Sequence, residues 1–259
     1  MIKKNYHTHC SYCGHAKGDV EDYVKEAIDK GFEVLGMSDH IPYPENDWGD
    51  RMDYSFKDEY LGKVRECREK YKDKIDVKIA FEAEYVPKYR DYYEELKEKE
   101  KLDYLILGQH FFFMDDGSLV NCFATVTDTE QYIRYAEACV EGMNTGIYAY
   151  LAHPDLIFRN RLAPDKNTEK AIDIILDAAV KNDYILEINA NGFRRGIREF
   201  PEGKRYPYPV DMFWDRVKGT NLRVIIGSDC HDPSFLADEC IGISERFAME
   251  KGLRLIDTI

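Results

Sequence analysis

Short apolar runs of extended type alternate with longer amphipathic stretches of helical type along this sequence. Each run has three to five residues and is followed by a segment long enough for a helix. Seven β-then-α units in a row favour a parallel sheet that is closed, or nearly closed, into a barrel. A doubly wound open sheet is the alternative that periodicity does not exclude. The runs are Lys4–Tyr6, Val34–Met37, Val77–Phe81, Tyr104–Leu107, Tyr148–Leu151, Ile185–Ile188 and Arg223–Ile226.

Histidines and acids follow the ends of these runs. The exception among the histidines is His15, which lies in a loop six residues beyond His9. The carboxyl ends of parallel barrel strands emerge at one face, so side chains at these ends converge. Residues two apart on an extended chain, such as His7 and His9, also project to the same side. The strand-end set is His7, His9, His40, Glu82, Glu84, His110, His153, Asp229 and His231.

The chemistry of this set is that of a metal centre. Imidazole and carboxylate together suit zinc, iron or manganese, and so many candidate ligands indicate more than one ion. Such ions generate hydroxide near neutral pH, bind substrate oxygens and neutralise developing charge. Any single histidine is better explained as a buried core residue, but a chance gathering of the whole set is not. Cys10 and Cys13 flank the first histidines and can also supply a thiolate, although histidines and carboxylates suffice.

The order of these residues resembles the polymerase-and-histidinol-phosphatase (PHP) family, and within it the histidinol-phosphatase branch. The resemblance implies one domain over residues 1–259, with an α/β fold that is a distorted seven-stranded (β/α) barrel. It also implies a metal site at the C-terminal ends of the strands. Gly108-Gln109 departs from the Gly-Ser-x of many relatives, which bears on substrate identity. The matching motifs are YHTH at 6–9, YCGHA at 12–16, SDHIP at 38–42, FEAEY at 81–85, His110, HPDL at 153–156, EIN at 187–189 and GSDCH at 227–231.

The resemblance further implies three divalent transition-metal ions (zinc, manganese or iron) and assigns their ligands. Glu82 is preferred to Glu84 as a bridge between ions because the family's bridging glutamate is the first acid of its Glu-x-acid pair. Both acids point the same way on a strand, so geometry leaves that choice open. Asp39 is expected to support a ligand, and it is a candidate, beside a water at the ions, for proton donor to the leaving group. The ligand groups are His7, His9, Glu82 and Asp229 for the first ion, Glu82, His110 and His153 for the second, and His15, His40 and His231 for the third.

Arginines after the fifth and sixth runs predict a phosphate site, because guanidinium groups bind phosphate oxygens in fork geometry. By resemblance, one arginine from each of these loops binds the substrate phosphate, and Arg159 and Arg194 align best. Arg161, Arg195 and Arg198 are expected to be solvated or paired with acids.

The predicted function is therefore hydrolysis of a small phosphorylated substrate, with L-histidinol phosphate of histidine biosynthesis favoured. A phosphotyrosine-protein or nucleotide phosphatase on the same scaffold is one alternative. A non-catalytic, metal-stabilised binding module is an alternative of another class. The sequence leaves the oligomeric state open.

Composition predicts a cytoplasmic protein without nucleic-acid or membrane partners. The net charge of −13 opposes binding to a phosphate backbone. No stretch approaches the roughly 20 apolar residues of a membrane span, and the N-terminus has no apolar signal segment. Seven cysteines, an odd number, indicate reduced thiols rather than a disulfide framework.

Overall fold

The computed structural model describes residues 2–45, 49 and 51–259. Its strands are β1 (Lys4–Asn5), β2 (Val34–Met37), β3 (Asp76–Ala83), β4 (Tyr104–Leu107), β5 (Phe111–Phe113), β6 (Leu119–Asn121), β7 (Tyr150–Leu151), β8 (Ile185–Asn189), β9 (Arg198–Phe200), β10 (Gly203–Arg205), β11 (Arg223–Gly227) and β12 (Arg254–Leu255). Its α-helices are α1 (Val20–Asp29), α2 (Lys57–Tyr71), α3 (Arg90–Lys99), α4 (Glu130–Met143), α5 (Lys166–Lys181), α6 (Ala190–Arg194), α7 (Asp211–Val217) and α8 (Glu239–Lys251). Short 3-10 helices span Ser11–Cys13, Tyr54–Phe56, Pro87–Tyr89, Leu156–Arg159 and Pro233–Phe235.

Seven of these strands form a barrel. Their hydrogen-bonded order is β1-β2-β3-β4-β7-β8-β11, and every neighbouring pair is parallel. Beyond the regular strands, a bridge between Thr8 and Cys230 joins the ends of β1 and β11, and Asp229 N donates to His7 O (2.9 Å). Each strand overlaps one of the seven predicted runs, so the barrel prediction is confirmed. The doubly wound alternative is wrong, because the strands neighbour one another in chain order and the order never reverses.

An eighth, two-residue strand lies at the opposite end of the barrel. Strand β12 pairs with the first two residues of β11. Just beyond it, Thr258 Oγ1 accepts a hydrogen bond from Lys4 Nζ (2.8 Å) at the start of β1. The C-terminal residues therefore fill the gap between β1 and β11 where these two strands do not pair. Two residues carry no periodicity, so the sequence pattern does not reveal this strand.

Side chains fill the inside of the barrel below the strand ends that carry the histidines. Tyr6, Tyr104 and Tyr150 are buried there in one apolar cluster. Tyr104 Oη donates to Tyr6 O (2.6 Å), which links opposite parts of the barrel wall. The helices pack outside, and the inside of the barrel is a filled core rather than a pore.

The helices begin and end where the sequence supplies caps. Asp19 and Asp22 form a capping box at the start of α1, and Asp165 and Thr168 do the same for α5. Gly252, in the left-handed conformation (φ 65°), ends α8. Across the described ranges, none of the helices has the length and apolar character needed to cross a bilayer.

Two glycines at strand ends make room for buried carboxylates. A Cβ atom at Gly108 would overlap Glu82 Oε1, and one at Gly227 would overlap Glu187 Oε1. Any other residue at these positions would displace the carboxylates, so glycine is required by close approach. The upper end of the barrel is therefore built around Glu82 and Glu187.

Candidate metal centre

A cavity of about 530 Å³ opens at the carboxyl ends of the barrel strands. Its lining combines the strand-end histidines with arginine, asparagine and aromatic side chains, and its volume suits a small organic ligand. The lining residues are His15, His40, Arg51, His110, Phe111, Asn121, Phe123, His153, Leu156, Asn191, Arg194, Arg195, Tyr208, Asp229, His231 and Phe235.

Five of the seven histidines have Nδ1 beside a carbonyl or carboxylate oxygen that does not belong to Glu82, whereas His40 Nδ1 lies 3.1 Å from Glu82 Oε2. Because these oxygens accept hydrogen bonds, each Nδ1 carries a proton, and Nε2 offers a lone pair to a metal whenever the ring is neutral. Histidines that bind metals almost always carry such a second contact. The contacts are His7 to Glu187 Oε1 (2.8 Å), His9 to Asp39 Oδ1 (3.3 Å), His110 to Glu84 Oε1 (2.8 Å), His15 to Cys13 O (3.1 Å) and His231 to Asp229 O (3.2 Å).

The Nε2 atoms of these rings converge. Those of His7 and His9 lie 3.4 and 3.5 Å from the two carboxylate oxygens of Glu82. Nearer the solvent, the Nε2 atoms of His15 and His231 are 3.0 Å apart. Burial, and next the charge of His9, lower the pKa of His231 to about 3, so His231 is not protonated near neutral pH. A proton or a metal cation shared by the two nitrogens would satisfy this contact.

Glu82 occupies the centre of the histidine cluster. It is buried, and nitrogens of five histidines lie within 3.5 Å of its oxygens. Burial raises the pKa of Glu82, but the histidines, His110 first, outweigh that effect and hold the pKa well below its usual range. An ionised carboxylate in this position can bind two cations. The distances are 2.8 Å to His153 Nε2, 3.1 Å to His40 Nδ1, 3.4 Å to His7 Nε2, 3.4 Å to His110 Nε2 and 3.5 Å to His9 Nε2.

Several buried atoms of the cluster lack hydrogen bonds. Within the described residues, His7 Nε2, His9 Nε2, His153 Nδ1 and Glu82 Oε2 have no hydrogen bond of good geometry, although Asp229 Oδ1 lies 3.1 Å from His9 Nε2 and His40 Nδ1 lies 3.1 Å from Glu82 Oε2. Such atoms are rare because each costs about 1–3 kcal/mol. A divalent transition-metal ion between the first two nitrogens and the carboxylate oxygen would satisfy three of them.

Among the described residues, those spaced to share an ion form five overlapping groups, whose ligand atoms lie within 4.8 Å of one another. All nine predicted ligands occur in these groups, but the predicted sets are divided: His15 shares no group with His40, His153 shares none with Glu82 or His110, and Asp229 shares none with His9 or Glu82. Cys13, which the sequence analysis gives as a possible thiolate ligand, belongs to the group with His15 and His231. The groups are His7, His9 and Glu82; His7, His153 and Asp229; His40, Glu82 and His110; His9, His40 and His231; and Cys13, His15 and His231.

Two residues of the cluster have left-handed backbone conformations. The φ angles of His153 and Asp229 are 31° and 46°. Non-glycine residues in sparsely populated backbone regions cost on the order of 1–3 kcal/mol each and concentrate at functional sites. Asp229 Oδ1 lies 3.1 Å from His9 Nε2, and Asn191 Nδ2 donates to Asp229 Oδ2 (3.2 Å). The backbone at these two strand ends therefore adopts conformations that the barrel itself does not require and that direct His153 and Asp229 toward the cluster.

Glu84 has surroundings different from those of Glu82. Its Oε1 contacts His110 Nδ1 (2.8 Å) and pairs with Arg51, and its Oε2 accepts from Tyr43 Oη (3.2 Å). Glu84 neither lines the cavity nor belongs to any of the five groups of described residues. This arrangement fits Glu82 as a bridge between ions and Glu84 as a support for His110.

Asp39 also lies behind a ligand. It is fully buried, its Oδ1 contacts His9 Nδ1 (3.3 Å) and accepts from His40 N (2.8 Å), and its Oδ2 accepts from Cys10 N (3.3 Å). Asp39 is not among the described residues that line the cavity. Its position suits the orientation of His9 and does not suit proton transfer to a leaving group.

The two arginines predicted to bind phosphate differ in what they contact. Arg194 lines the cavity, but its guanidinium donates to both carboxylate oxygens of Asp238 (2.7 and 3.0 Å) and to Phe235 O (2.8 Å). Most of its donors are therefore committed. Arg195, which the sequence predicts to be solvated or acid-paired, instead lines the cavity, and its Nε donates to Tyr208 Oη (3.0 Å). The geometry favours Arg195 over Arg194 as a phosphate ligand.

Arg159 lies close to Arg195. Their guanidinium carbons are 4.4 and 5.5 Å from the ring centroid of Phe123. Burial, and next the charge of Arg195, lower the pKa of Arg159. In the part of the chain that the structure describes, neither arginine forms an ion pair, and Arg159 Nε has no hydrogen-bond partner. Two guanidinium groups without counter-ions beside the histidine cluster have the chemistry that binds an anion.

Comparison with known protein families agrees with this geometry. The model of the PHP domain matches residues 5–191, more than half of the chain. The chain belongs to the PHP domain family.

Relatives within the PHP family are similar over most of their length. A probable histidinol-phosphatase of Deinococcus radiodurans is 27% identical over 236 residues, which cover 88% of this chain and 85% of that protein. The histidinol-phosphatase of Bacillus subtilis is 22% identical over 263 residues, 89% of this chain and 94% of that protein. The crystal structure of histidinol phosphate phosphatase from Lactococcus lactis, complexed with zinc, L-histidinol and phosphate, has a TM-score of 0.74 at 20% identity and covers 98% of this chain and 95% of that one. At this identity the likeness is one of fold.

Some residues of this PHP site escape prediction from sequence. Glu187 belongs to the EIN motif at 187–189 but was given no role; it contacts His7 Nδ1, and its place on a strand, like that of Glu82, was the available signal. Arg51, which pairs with Glu84, and Tyr208, which contacts Arg195, lie in irregular segments where no periodic pattern marks them.

Proposed function

We propose that this PHP protein is a metal-dependent phosphomonoester hydrolase that converts L-histidinol phosphate and water to L-histidinol and phosphate in histidine biosynthesis. The observation that carries the proposal is the convergence of histidine Nε2 atoms beside two arginines without counter-ions. Cations and guanidinium groups are the parts that stabilise phosphoryl transfer. The substrate is supported by relatives named histidinol-phosphatases and by the Lactococcus lactis complex with L-histidinol and phosphate.

We propose three divalent ions, of zinc, manganese or iron. The unpartnered buried atoms support an inner ion, and the close approach of His15 Nε2 and His231 Nε2 at the mouth of the cavity supports an outer one. When bound, such ions supply a nucleophile at neutral pH and Lewis acidity toward phosphoryl oxygens. The proposed ligands are His7, His9, Glu82 and Asp229 for the first ion, Glu82, His110 and His153 for the second, and His15, His40 and His231 for the third.

The chain's own residues bind and orient the substrate. We propose that Arg159 and Arg195 donate to equatorial phosphoryl oxygens; the hydrogen bond from Arg195 Nε to Tyr208 Oη supports this role by fixing the guanidinium. Arg194, paired with Asp238, supports the cavity wall. Asp39 orients His9 through its contact with Nδ1.

A non-catalytic, metal-stabilised module is the rival of another class. A structural metal site is closed by about four protein ligands and leaves no position open. Here the histidine cluster opens on a cavity of about 530 Å³ with arginines in its wall, which favours turnover. A phosphotyrosine-protein or nucleotide phosphatase would use the same features, so the substrate must be separated by experiment.

The metal-loaded protein should release phosphate from L-histidinol phosphate faster than from phosphotyrosine, a nucleoside monophosphate or glycerol phosphate. We expect kcat/KM to differ by about tenfold or more, the size of effect that a shaped pocket gives. The Glu82→Gln protein, purified in parallel, controls for contaminating phosphatases. Faster release from phosphotyrosine or a nucleotide would replace L-histidinol phosphate as the proposed substrate. No release from any ester would favour the non-catalytic module.

Arg195→Ala should lower kcat/KM without changing metal content. Loss of a hydrogen bond to a charged phosphoryl oxygen costs roughly 1.5–3 kcal/mol, on the order of tenfold or more in kcat/KM. Steady-state kinetics together with metal analysis measure both quantities. Arg161→Ala is the matched control, because Arg161 is exposed and does not line the cavity. If kcat/KM fell in Arg194→Ala but not in Arg195→Ala, phosphate binding would be assigned to Arg194.

We further propose that residues 1–259 act as one domain and that the protein works in the cytoplasm. Strands from both ends of the chain pair within one sheet, which supports a single folding unit. All seven cysteines are buried, free thiols, as suits a reducing compartment.

A further inference from the structure

Arg51 is buried beside the proposed metal centre, yet it is not among the proposed ligands. Its side chain is 2% exposed and forms an ion pair with the fully buried carboxylate of Glu84. The guanidinium carbon lies 5.1 Å from the ring centroid of Phe111 and 6.0 Å from that of Tyr43. A buried ion pair stabilises a fold little, because desolvation offsets the attraction. The value of this pair therefore lies in what it positions.

Glu84 connects Arg51 to a proposed metal ligand. The same oxygen of Glu84, Oε1, faces Arg51 Nη2 and His110 Nδ1, the latter at 2.8 Å. Tyr43 Oη donates to the other oxygen at 3.2 Å. Held in this way, the carboxylate keeps the His110 ring turned so that Nε2 lies 3.4 Å from Glu82 Oε1.

We propose that Arg51 is a positioning residue, which fixes Glu84 and thereby sets the affinity of the ion that His110 and Glu82 share. The inference rests on the metal centre proposed above. Among the described ion pairs, Arg51 is the one arginine or lysine that pairs with Glu84. Without it, the Glu84 carboxylate can turn away from His110. Residues that orient a ligand in this manner commonly contribute 10–100-fold to metal affinity.

A direct effect on His40 is the competing route. Arg51 Nη1 lies 3.3 Å from His40 Nδ1. This contact is longer than the one between Glu84 and His110, and it joins no opposite charges. The two routes make different predictions for a protein in which Arg51 and Glu84 are both replaced.

The test is a zinc titration of the metal-free protein in competition with a chromophoric chelator. Arg51→Met and Glu84→Gln should each weaken the binding of one zinc equivalent by about 10–100-fold. The double variant should bind that equivalent within about twofold of Glu84→Gln, because two residues on one route are not additive. Arg68→Met is the matched control, since Arg68 forms a two-bond pair with Asp103 (3.0 and 3.1 Å) at the surface.

Arg51→Lys keeps the experiment decisive if Arg51→Met does not fold, as judged by thermal unfolding of the metal-free proteins. Lysine keeps the charge but not the planar fork, so its zinc affinity should fall between those of the wild type and Glu84→Gln. Wild-type affinity in the folded Arg51 variants would overturn the inference. Effects that multiply in the double variant would overturn the route through Glu84 and assign Arg51 to His40. A wild-type protein that binds no zinc would instead overturn the metal centre itself.

Discussion

Replacing Glu82 with glutamine should abolish phosphate release from L-histidinol phosphate and lower the bound metal. Five histidine nitrogens lie within 3.5 Å of the Glu82 oxygens, and a neutral amide cannot hold two cations among them. We expect the rate to fall by on the order of 10³-fold, or below detection, with loss of at least one metal equivalent. Phosphate assays and elemental analysis of the same preparation measure both effects.

Glu84→Gln is the matched control, because it removes the same charge two residues further along the same strand. The glutamine oxygen can still accept from His110 Nδ1, and Glu84 does not face the ions directly. We expect metal affinity or activity to fall by about 10–100-fold, with nearly full loading when metal is in excess. Metal retained in Glu82→Gln but lost in Glu84→Gln would make Glu84 the bridge and move the assignments on strand β3 by two residues.

Removing the metal should lower thermal stability as well as activity. The reconstituted protein is expected to hold two to three equivalents of zinc, manganese or iron. Ions that bind the folded chain alone stabilise it by about 4 kcal/mol at a concentration of 1,000 Kd. For a protein of this size that is a rise in Tm on the order of 10 °C, measurable by calorimetry of metal-free and reconstituted samples.

Magnesium provides the control for this experiment, because it prefers oxygen ligands and should not give the same rise in Tm at an imidazole-rich site. One equivalent or fewer after reconstitution would contradict the three-ion centre. An unchanged Tm would mean that the buried imidazoles and carboxylates are satisfied without ions.

The barrel could be predicted because its strands are short apolar runs separated by helical segments. That topology also brings the strand ends together, so the clustering of His7, Glu82 and His153 followed from their place in the sequence. His15 is different, since it lies beyond a 3-10 helix and meets His231 through a loop. Its place in the ligand set came from the family resemblance alone.

Which partner each charged side chain takes could not be predicted. Arg194 and Arg195 are neighbours in sequence, but Arg194 pairs with Asp238, 44 residues further on, while Arg195 faces the cavity. Arg51 likewise reaches Glu84 from an irregular segment before α2. These choices depend on how loops pack against one another, and loops carry no periodic pattern from which their contacts could be inferred.

The tyrosines inside the barrel also determine the route by which substrate and products enter and leave the cavity. Tyr6, Tyr104 and Tyr150 pack the space beneath the histidines, and Ile256 and Ile259 cover that apolar cluster near the C-terminus. Substrate and products must therefore enter and leave through the open end of the cavity, at the carboxyl ends of the strands. If the phosphoryl group of an ester lies among the strand-end histidines, its alcohol lies nearer the open end, and we expect the alcohol to leave before the phosphate.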